Sequence, residues 1–375
     1  MIRVLLFCLI LITAFAWFIR SAVRLVKSLS IGRKEDRFGN VGSRLSNVLS
    51  VAFGQTKLLR EPLAGLMHFF IFWGFVILLT AVLEAILQGL FPDFTLEVLG
   101  PVFPPIAFTQ ELIGVLVILS CILALARWYL VPPRRYFGPE ITGHVRIDAT
   151  LILSLILLIM FSMFGANATH MLVSGHAPGA RFVSVRIAAF FQGGGAAASW
   201  YALFWWIHIL VVLGFLNYLP YSKHLHVLTS IPNVYFASLQ PRGQLDKLNL
   251  DDENAEKFGA EDVRDLTWKQ LLDGFTCTDC GRCTSVCPAN LTGKRLSPRK
   301  IIMNIRERTS ELAPVILAGD EEEQPEVMSR RLLGNFVTEE ELWACTTCRA
   351  CMEECPVMIE HVPAIMDMRR YLVLT

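Results

Sequence analysis

The chain has 375 residues, of which 54% are hydrophobic and 18% charged, against roughly 25% charged in an ordinary soluble domain. Lys+Arg 34 against Asp+Glu 33 leaves a formal net charge of +1, without the overall basic excess that signals a nucleic-acid partner. Of ten cysteines, Cys8 and Cys121 lie in apolar segments and the other eight crowd between Cys277 and Cys355. That excludes the disulfide scaffold of a small secreted chain and points to thiolate metal ligation in a reducing compartment.

A membrane helix requires about 20 largely apolar residues. Five stretches qualify: Val4 to Val26, Leu63 to Leu90, Ile106 to Val131, Ile147 to Met171 and Trp200 to Leu219. The first also resembles a secretory signal, but the segment after it argues for a retained span. Arg20 to Arg60 holds nine basic residues, Arg20, Arg24, Lys27, Arg33, Lys34, Arg37, Arg44, Lys57 and Arg60, whereas Phe91 to Ala107 holds none and carries Asp93 and Glu97. Positive charge favours the cytoplasmic side, and Arg127, Arg134, Arg135 and Arg146 agree two crossings later. The expected protein is multi-pass in the cytoplasmic (inner) membrane, surrounded by lipid, with its N-terminus outside and everything after Tyr221 in the cytoplasm.

Residues 228–270 form a polar connector containing Asp251, Asp252, Glu253, Glu256, Glu261, Asp262 and Asp265, read as a solvated hinge. Residues 271–375 follow as a second domain. It contains Cys277-Thr-Asp-Cys280-Gly-Arg-Cys283-Thr-Ser-Val-Cys287-Pro288 and Cys345-Thr-Thr-Cys348-Arg-Ala-Cys351-Met-Glu-Glu-Cys355-Pro356. Both read C-x2-C-x2-C-x3-C-P, in which three thiolates hold one 4Fe-4S cluster and the fourth reaches the other. Zinc ordinarily takes four ligands in two separated pairs and fits this pattern poorly. Crosswise ligation assigns Cys277, Cys280, Cys283 and Cys355 to one cluster, and Cys345, Cys348, Cys351 and Cys287 to the other. The long insert between the motifs includes helix-like text at Ser297 to Thr309 and Glu339 to Ala344, so the domain is expected to be a mainly helical two-cluster ferredoxin.

Histidines within spans are functional candidates because polar groups are costly in a bilayer. His68, His170 and His208 qualify, and beside a two-cluster ferredoxin they point to haem more than to interhelical hydrogen bonds. His226 follows His208 by 18 residues, about 27 Å and five turns if the fifth helix continues past Pro220. His68 then lies at the level of His226 and suits it as partner. His208 finds Leu78 where a second-span histidine would match its depth, leaving His170 as the alternative at the other side. His224 is the remaining ligand candidate, while His144, His176 and His361 lie in connections or in the ferredoxin. Glu84 and Glu111 are candidates for quinone protons or carboxylates snorkelling to water. Lys57, Arg60 and Lys223 are candidates for haem propionates or positive-inside anchors. The run Gly193-Gly194-Gly195 lacks the spacing of a dinucleotide fingerprint, so no bound flavin or nicotinamide is expected.

The stretch Ile207-His208-Ile209 through Pro220-Tyr221-Ser222-Lys223-His224-Leu225-His226-Val227 resembles the last helix of the cytochrome b subunit of respiratory nitrate reductase, the gamma-subunit family, with His68 matching the first histidine of that family's second helix. Leu78 departs from it. Thr267-Trp268-Lys269-Gln270-Leu271-Leu272-Asp273, with Cys283-Thr-Ser-Val-Cys287-Pro-Ala-Asn290-Leu-Thr-Gly293-Lys294, resembles heterodisulfide-reductase-type ferredoxins. More closely, the whole resembles the membrane iron-sulfur reductases that include electron-transfer-flavoprotein:menaquinone oxidoreductases. The resemblance implies an all-α protein: a five-helix transmembrane cytochrome b over 1–227, the connector, and the two-cluster domain. It implies one or two b haems and electron transfer between a cytoplasmic flavoprotein and the menaquinone pool of a respiratory chain. Those relatives continue into a domain with CCG-type motifs that is not found here, so the expectation is a partner polypeptide carrying it or a longer product. Two other readings are a quinol-linked heterodisulfide or sulfur-type reductase subunit and a haem-free membrane-anchored ferredoxin.

Overall fold

The computed structural model describes residues 1–176, 179–192, 195–241, 243–251 and 257–375. Gly193 and Gly194 of the triple glycine, and Asp252, Glu253 and Glu256 of the acidic stretch, lie outside them. Among the described residues the chain is helical, with isolated bridges in place of strands. It divides into two compact units, 1–20 with 58–133 and 143–219, and 21–57 with 134–142 and 220–375.

In chain order the first seven helices are α1 (Ile2–Leu29), α2 (Val41–Asn47), α3 (Pro62–Leu90), α4 (Phe103–Tyr129), α5 (Gly143–Ser174), α6 (Phe182–Ala188) and α7 (Ala197–Tyr218). The five long ones are long and apolar enough to cross a membrane, as the sequence predicts. Proline occupies the first turn of α3 and α4, where its missing N–H costs nothing. Glycines let the helices approach closely: a Cβ on Gly74 would stand 2.3 Å from Val117, and one on Gly165 2.6 Å from Phe204. In hydrocarbon such contact replaces the hydrophobic drive that operates in water. The core of the first unit is built around Leu78, Val117, Ile152, Met160 and Phe164, with Phe7, Trp205 and Ile209 in a second cluster.

Three expectations change here. Glu111 does not snorkel. It is fully buried and accepts the Val183 and Ser184 N–H groups at 2.7 and 2.9 Å, satisfying the open donors at the start of α6. Glu84 is buried too, accepting the Leu96 N–H at 2.8 Å and facing Arg181 at 3.7 Å. Nor does the fifth span run on to His226. It ends at Tyr218, tightens over Leu219–Tyr221 and breaks at Ser222, which is extended and caps the His224 N–H. Pro220 cannot donate to a continuing helix, so His226 opens a separate helix and does not share one helix face with His208.

The second unit begins its C-terminal part with α8 (His226–Tyr235) and α9 (Trp268–Thr276). Then follow α10 (Arg282–Ser285), α11 (Pro288–Leu291), α12 (Pro298–Ala318), α13 (Pro325–Ser329), α14 (Glu339–Trp343), α15 (Ala350–Glu354) and α16 (His361–Leu374). Leu271, Ile301, Ile305, Leu342, Ile365 and Met368 centre its core. The connector is no solvated hinge throughout, because Asn233, Ala260, Val263 and Leu266 are fully buried. Two of its acidic residues, Asp262 and Asp265, serve as structural anchors. Asp265 completes a capping box with Asp262, and Asp262 receives the buried Arg308 guanidinium through Nη2 at 2.7 Å and Nε at 3.0 Å. Several basic residues of 21–57 also bind within this unit. Arg44 donates to the Tyr235 and Ala237 carbonyls at 2.9 Å, and Arg37 forks onto Glu360 with both contacts at 3.0 Å.

Candidate functional site

The eight cysteines sit on two copies of one backbone device. In the first, a capping box of Thr267 and Gln270 starts α9, whose end delivers Cys277. The loop passes through the left-handed region at Asp279 (φ 56°) and Gly281 (φ 73°), on either side of Cys280, before α10 presents Cys283. In the second, Thr338 and Glu341 cap α14, Thr347 (φ 55°) and Arg349 (φ 63°) flank Cys348, and α15 presents Cys351. The fourth cysteines match as well: Cys287 has φ −72° and ψ 117°, and Cys355 has φ −71° and ψ 120°. A proline follows each and prevents the preceding cysteine from turning helical. The pairs of left-handed residues curl each loop so that N–H groups turn toward sulfur. Thr347 N–H donates to Cys345 Sγ at 3.4 Å, and Asp279 N–H does the same for Cys277.

The thiols assemble across the two motifs. Cys283 interacts electrostatically with Cys280, Cys277 and Cys355, and Cys355 with Cys280. Cys351 interacts with Cys345, Cys287 and Cys348, and Cys345 with Cys287. Cys283 also meets Cys351, and both pack with Val362 where α10 lies on α15, so the two groups are neighbours. Burial pushes the Cys277 and Cys283 thiols far up and the Cys355 thiol to about 12, the last against N–H donation from Ile359 at 3.4 Å. Three such groups close together are held as thiolates only with cationic metal among them. Among the described residues no three His, Cys, Asp or Glu converge on a single ion. The donor set, all sulfur and partly supplied with amide N–H groups, fits a four-iron core.

The two sites differ in cover. Cys277, Cys283 and Cys355 are buried and Cys280 half-buried, whereas Cys348 is exposed. Over the first loop, a Cβ on Gly281 would stand 2.6 Å from Arg299 and 2.7 Å from the Arg135 carbonyl oxygen. Arg299 is fixed by Glu140 at 2.8 and 2.9 Å. Arg306 contacts Asp279 at 3.1 Å and the Cys277 carbonyl at 3.0 Å; near the second site Arg369 donates to the Cys345 carbonyl at 2.5 Å. Lys57 binds the Glu353 carbonyl at 2.9 Å, at the end of α15. Arg299 and Glu140 lie 159 positions apart, and no local pattern announces their pairing. Lys269 and Asp273 are paired at 2.7 Å within α9 and fully buried; their i, i+4 spacing was the available signal.

The histidines divide between the units. In the first, His208 is 4% exposed, and its Nδ1 lies 3.1 Å from the Ile159 carbonyl and 3.2 Å from Ser162 Oγ. A carbonyl only accepts, so Nδ1 carries the hydrogen and Nε2 the lone pair, the arrangement typical of a ligating histidine. His170 lies 5.1 Å from the Tyr201 ring and lines the same cleft as His208. His68 is half-buried on α3. His176 pairs with Glu97 at 3.4 Å and His144 is exposed. In the second unit the His224 and His226 rings stand 5.0 Å apart, edge to face. His226 Nδ1 donates to the Lys223 carbonyl at 3.0 Å, and burial lowers its pKa, favouring the neutral ring that ligation requires. His361 is buried with Nδ1 3.2 Å from the Ile359 carbonyl.

Residues 276–359 match the family model of the 4Fe-4S dicluster domain. The chain is 35% identical to the probable iron-sulfur-binding oxidoreductase FadF of Bacillus subtilis, over 98% of this chain and 55% of that protein. It is 32% identical to the EtfAB:quinone oxidoreductase of Syntrophomonas wolfei, over 90% of this chain and 50% of that one. A probable membrane-anchored ferredoxin of Chromohalobacter salexigens is 42% identical over 35% of this chain and 21% of its own length. The chain thus spans about half the length of the first two relatives. No solved structure matches it. These homologues include iron-sulfur oxidoreductases, and the dicluster domain here follows five long apolar helices.

Proposed function

We propose that the chain is the electron-transfer part of a membrane quinone oxidoreductase. Cys277, Cys280, Cys283 and Cys355 would hold one 4Fe-4S cluster and Cys345, Cys348, Cys351 and Cys287 the other, and the pair would supply single-electron relay from reduced electron-transfer flavoprotein or from a CCG-type reductase subunit in contact with it. Two electrons, with two protons from water, convert one menaquinone to its quinol. The observation that carries this reading is the pair of matched cysteine loops, with the Cys355 thiol close to Cys283 of the first motif and the Cys287 thiol close to Cys351 of the second. The flavoprotein and the quinone are supported by a relative named for both. The exposed Cys348 loop offers the partner a short path to the second cluster.

A b haem, when bound, would relay single electrons within the membrane. His208 supports it through its buried, oriented ring, and His68, His226, His170 and His224 are the other candidate ligands. The basic connections support a cytoplasmic dicluster domain and an N-terminus on the opposite side.

The test is full-length protein purified from membranes. About eight irons and eight sulfides per chain are expected, together with a b-type absorbance band. Reduced electron-transfer flavoprotein should reduce the clusters, and a menaquinone analogue should reoxidise them. Absence of haem absorbance would leave the anchored ferredoxin reading. Reduction by a dithiol but not by the flavoprotein would overturn the proposed donor.

A further inference from the structure

Within the first unit a cleft opens where the C-terminal ends of α3 and α5 meet the start of α7. Glu84, His170, Arg181, Tyr201, Trp205 and His208 line it. Arg181 is 7% exposed and Trp205 1% exposed. Arg181 Nη1 and Trp205 Nε1 are both buried without a hydrogen-bond partner among the described residues. Buried donors are nearly always satisfied, and an exception calls for a bound group or water.

Both donors are held in place by their surroundings. The Arg181 guanidinium lies 5.5 Å over the Phe103 ring and faces Glu84 at 3.7 Å. The Trp205 indole is covered by the Arg3 guanidinium at 4.6 Å and by Phe7 at 5.5 Å. Glu84 offsets the charge of Arg181, so the cleft is suited to a neutral ligand with acceptor oxygens more than to a free anion. Phe103, Ala81, Ala85 and Met163 supply apolar wall, which suits a flat ring.

We infer that this cleft binds the head group of a quinone, with its carbonyl oxygens accepting from Arg181 Nη1 and Trp205 Nε1. The inference rests on the quinone-linked reading above and gives that substrate its place. Tyr201, whose hydroxyl donates to Gln88 at 3.4 Å, and His170 form the wall beside it.

The test measures the Kd of menadione by equilibrium dialysis, and haem content by absorbance, on the full-length protein in detergent. Trp205→Phe removes one donor and keeps an aromatic ring; Arg181→Lys keeps the charge and removes the planar fork. Menadione Kd should rise about threefold to tenfold in Trp205→Phe and about tenfold or more in Arg181→Lys, with haem content unchanged. Unchanged Kd in both variants overturns the site. So does a change in haem content or potential at constant Kd, which would show that the donors hold a haem propionate instead. Wild-type protein that neither binds menadione nor is reoxidised by it defeats the quinone reading itself; unchanged binding in the variants defeats only this site.

Discussion

Changing Cys355 to Ser separates crosswise from sequential ligation. Cys355 lies at the end of the second motif, 78 residues after Cys277, yet its thiol interacts with Cys280 and Cys283. It is 6% exposed, in one core with Cys277 and Cys287. A serine hydroxyl there is close in volume and costs about 1–3 kcal/mol if it finds no partner, a loss small beside that of a cluster. Cys355→Ser should therefore lower iron from about eight to about four per chain and abolish the cluster held by the first motif. Pairing Cys355→Ser with Cys277→Ser should remove no further cluster, since both belong to the same site. Pairing Cys355→Ser with Cys348→Ser should remove both. The assay is iron and sulfide analysis with electron paramagnetic resonance of the reduced full-length protein. The reasoning is refuted if Cys355→Ser with Cys348→Ser keeps four irons while Cys355→Ser with Cys277→Ser keeps none, because that is the sequential pattern.

Gly281 and Arg349 occupy equivalent left-handed positions, and a Cβ on Gly281 would meet Arg299 and the Arg135 carbonyl. Gly281→Ala is expected to cost the first cluster, about half the iron, whereas Arg349→Gly should leave both clusters by the same iron analysis. The pH dependence of unfolding should contain a contribution from His361, whose pKa burial lowers to about 4 against the Ile359 carbonyl hydrogen bond. A depressed histidine pKa favours the neutral folded form, so stability is full above about 6.5 and falls as pH drops toward 4, by roughly 3 kcal/mol over that window. His361→Asn should flatten this segment of a chemical-denaturation series across pH; a slope identical to wild type would contradict the assignment.

Much of the fold could be read from composition and spacing, because the forces that fix it are local. A run of about 20 apolar residues has few alternatives to a membrane helix, and all five spans appear as long helices. The cysteine spacing was equally legible, since three ligands within seven residues must wrap one site. Where local order alone did not suffice, the expectations shifted. Pro220 was visible, but whether the helix would cross it depended on the Ser222 cap and the turn beyond. Glu84 and Glu111 looked like interfacial carboxylates, and only the return of the chain near residues 181–184 buried them against Arg181 and the start of α6.

The sequence by itself determined the class of the protein: apolar spans, a basic first connection and eight thiols in two repeated loops. Tertiary structure decided which thiols lie near one another, which loop reaches the surface, and where buried donors face a cleft. Those outcomes depend on contacts between residues far apart in the chain, such as Cys280 with Cys355 or Glu140 with Arg299. Such pairs carry no periodic signature along the chain and are set only when the elements bearing them pack together.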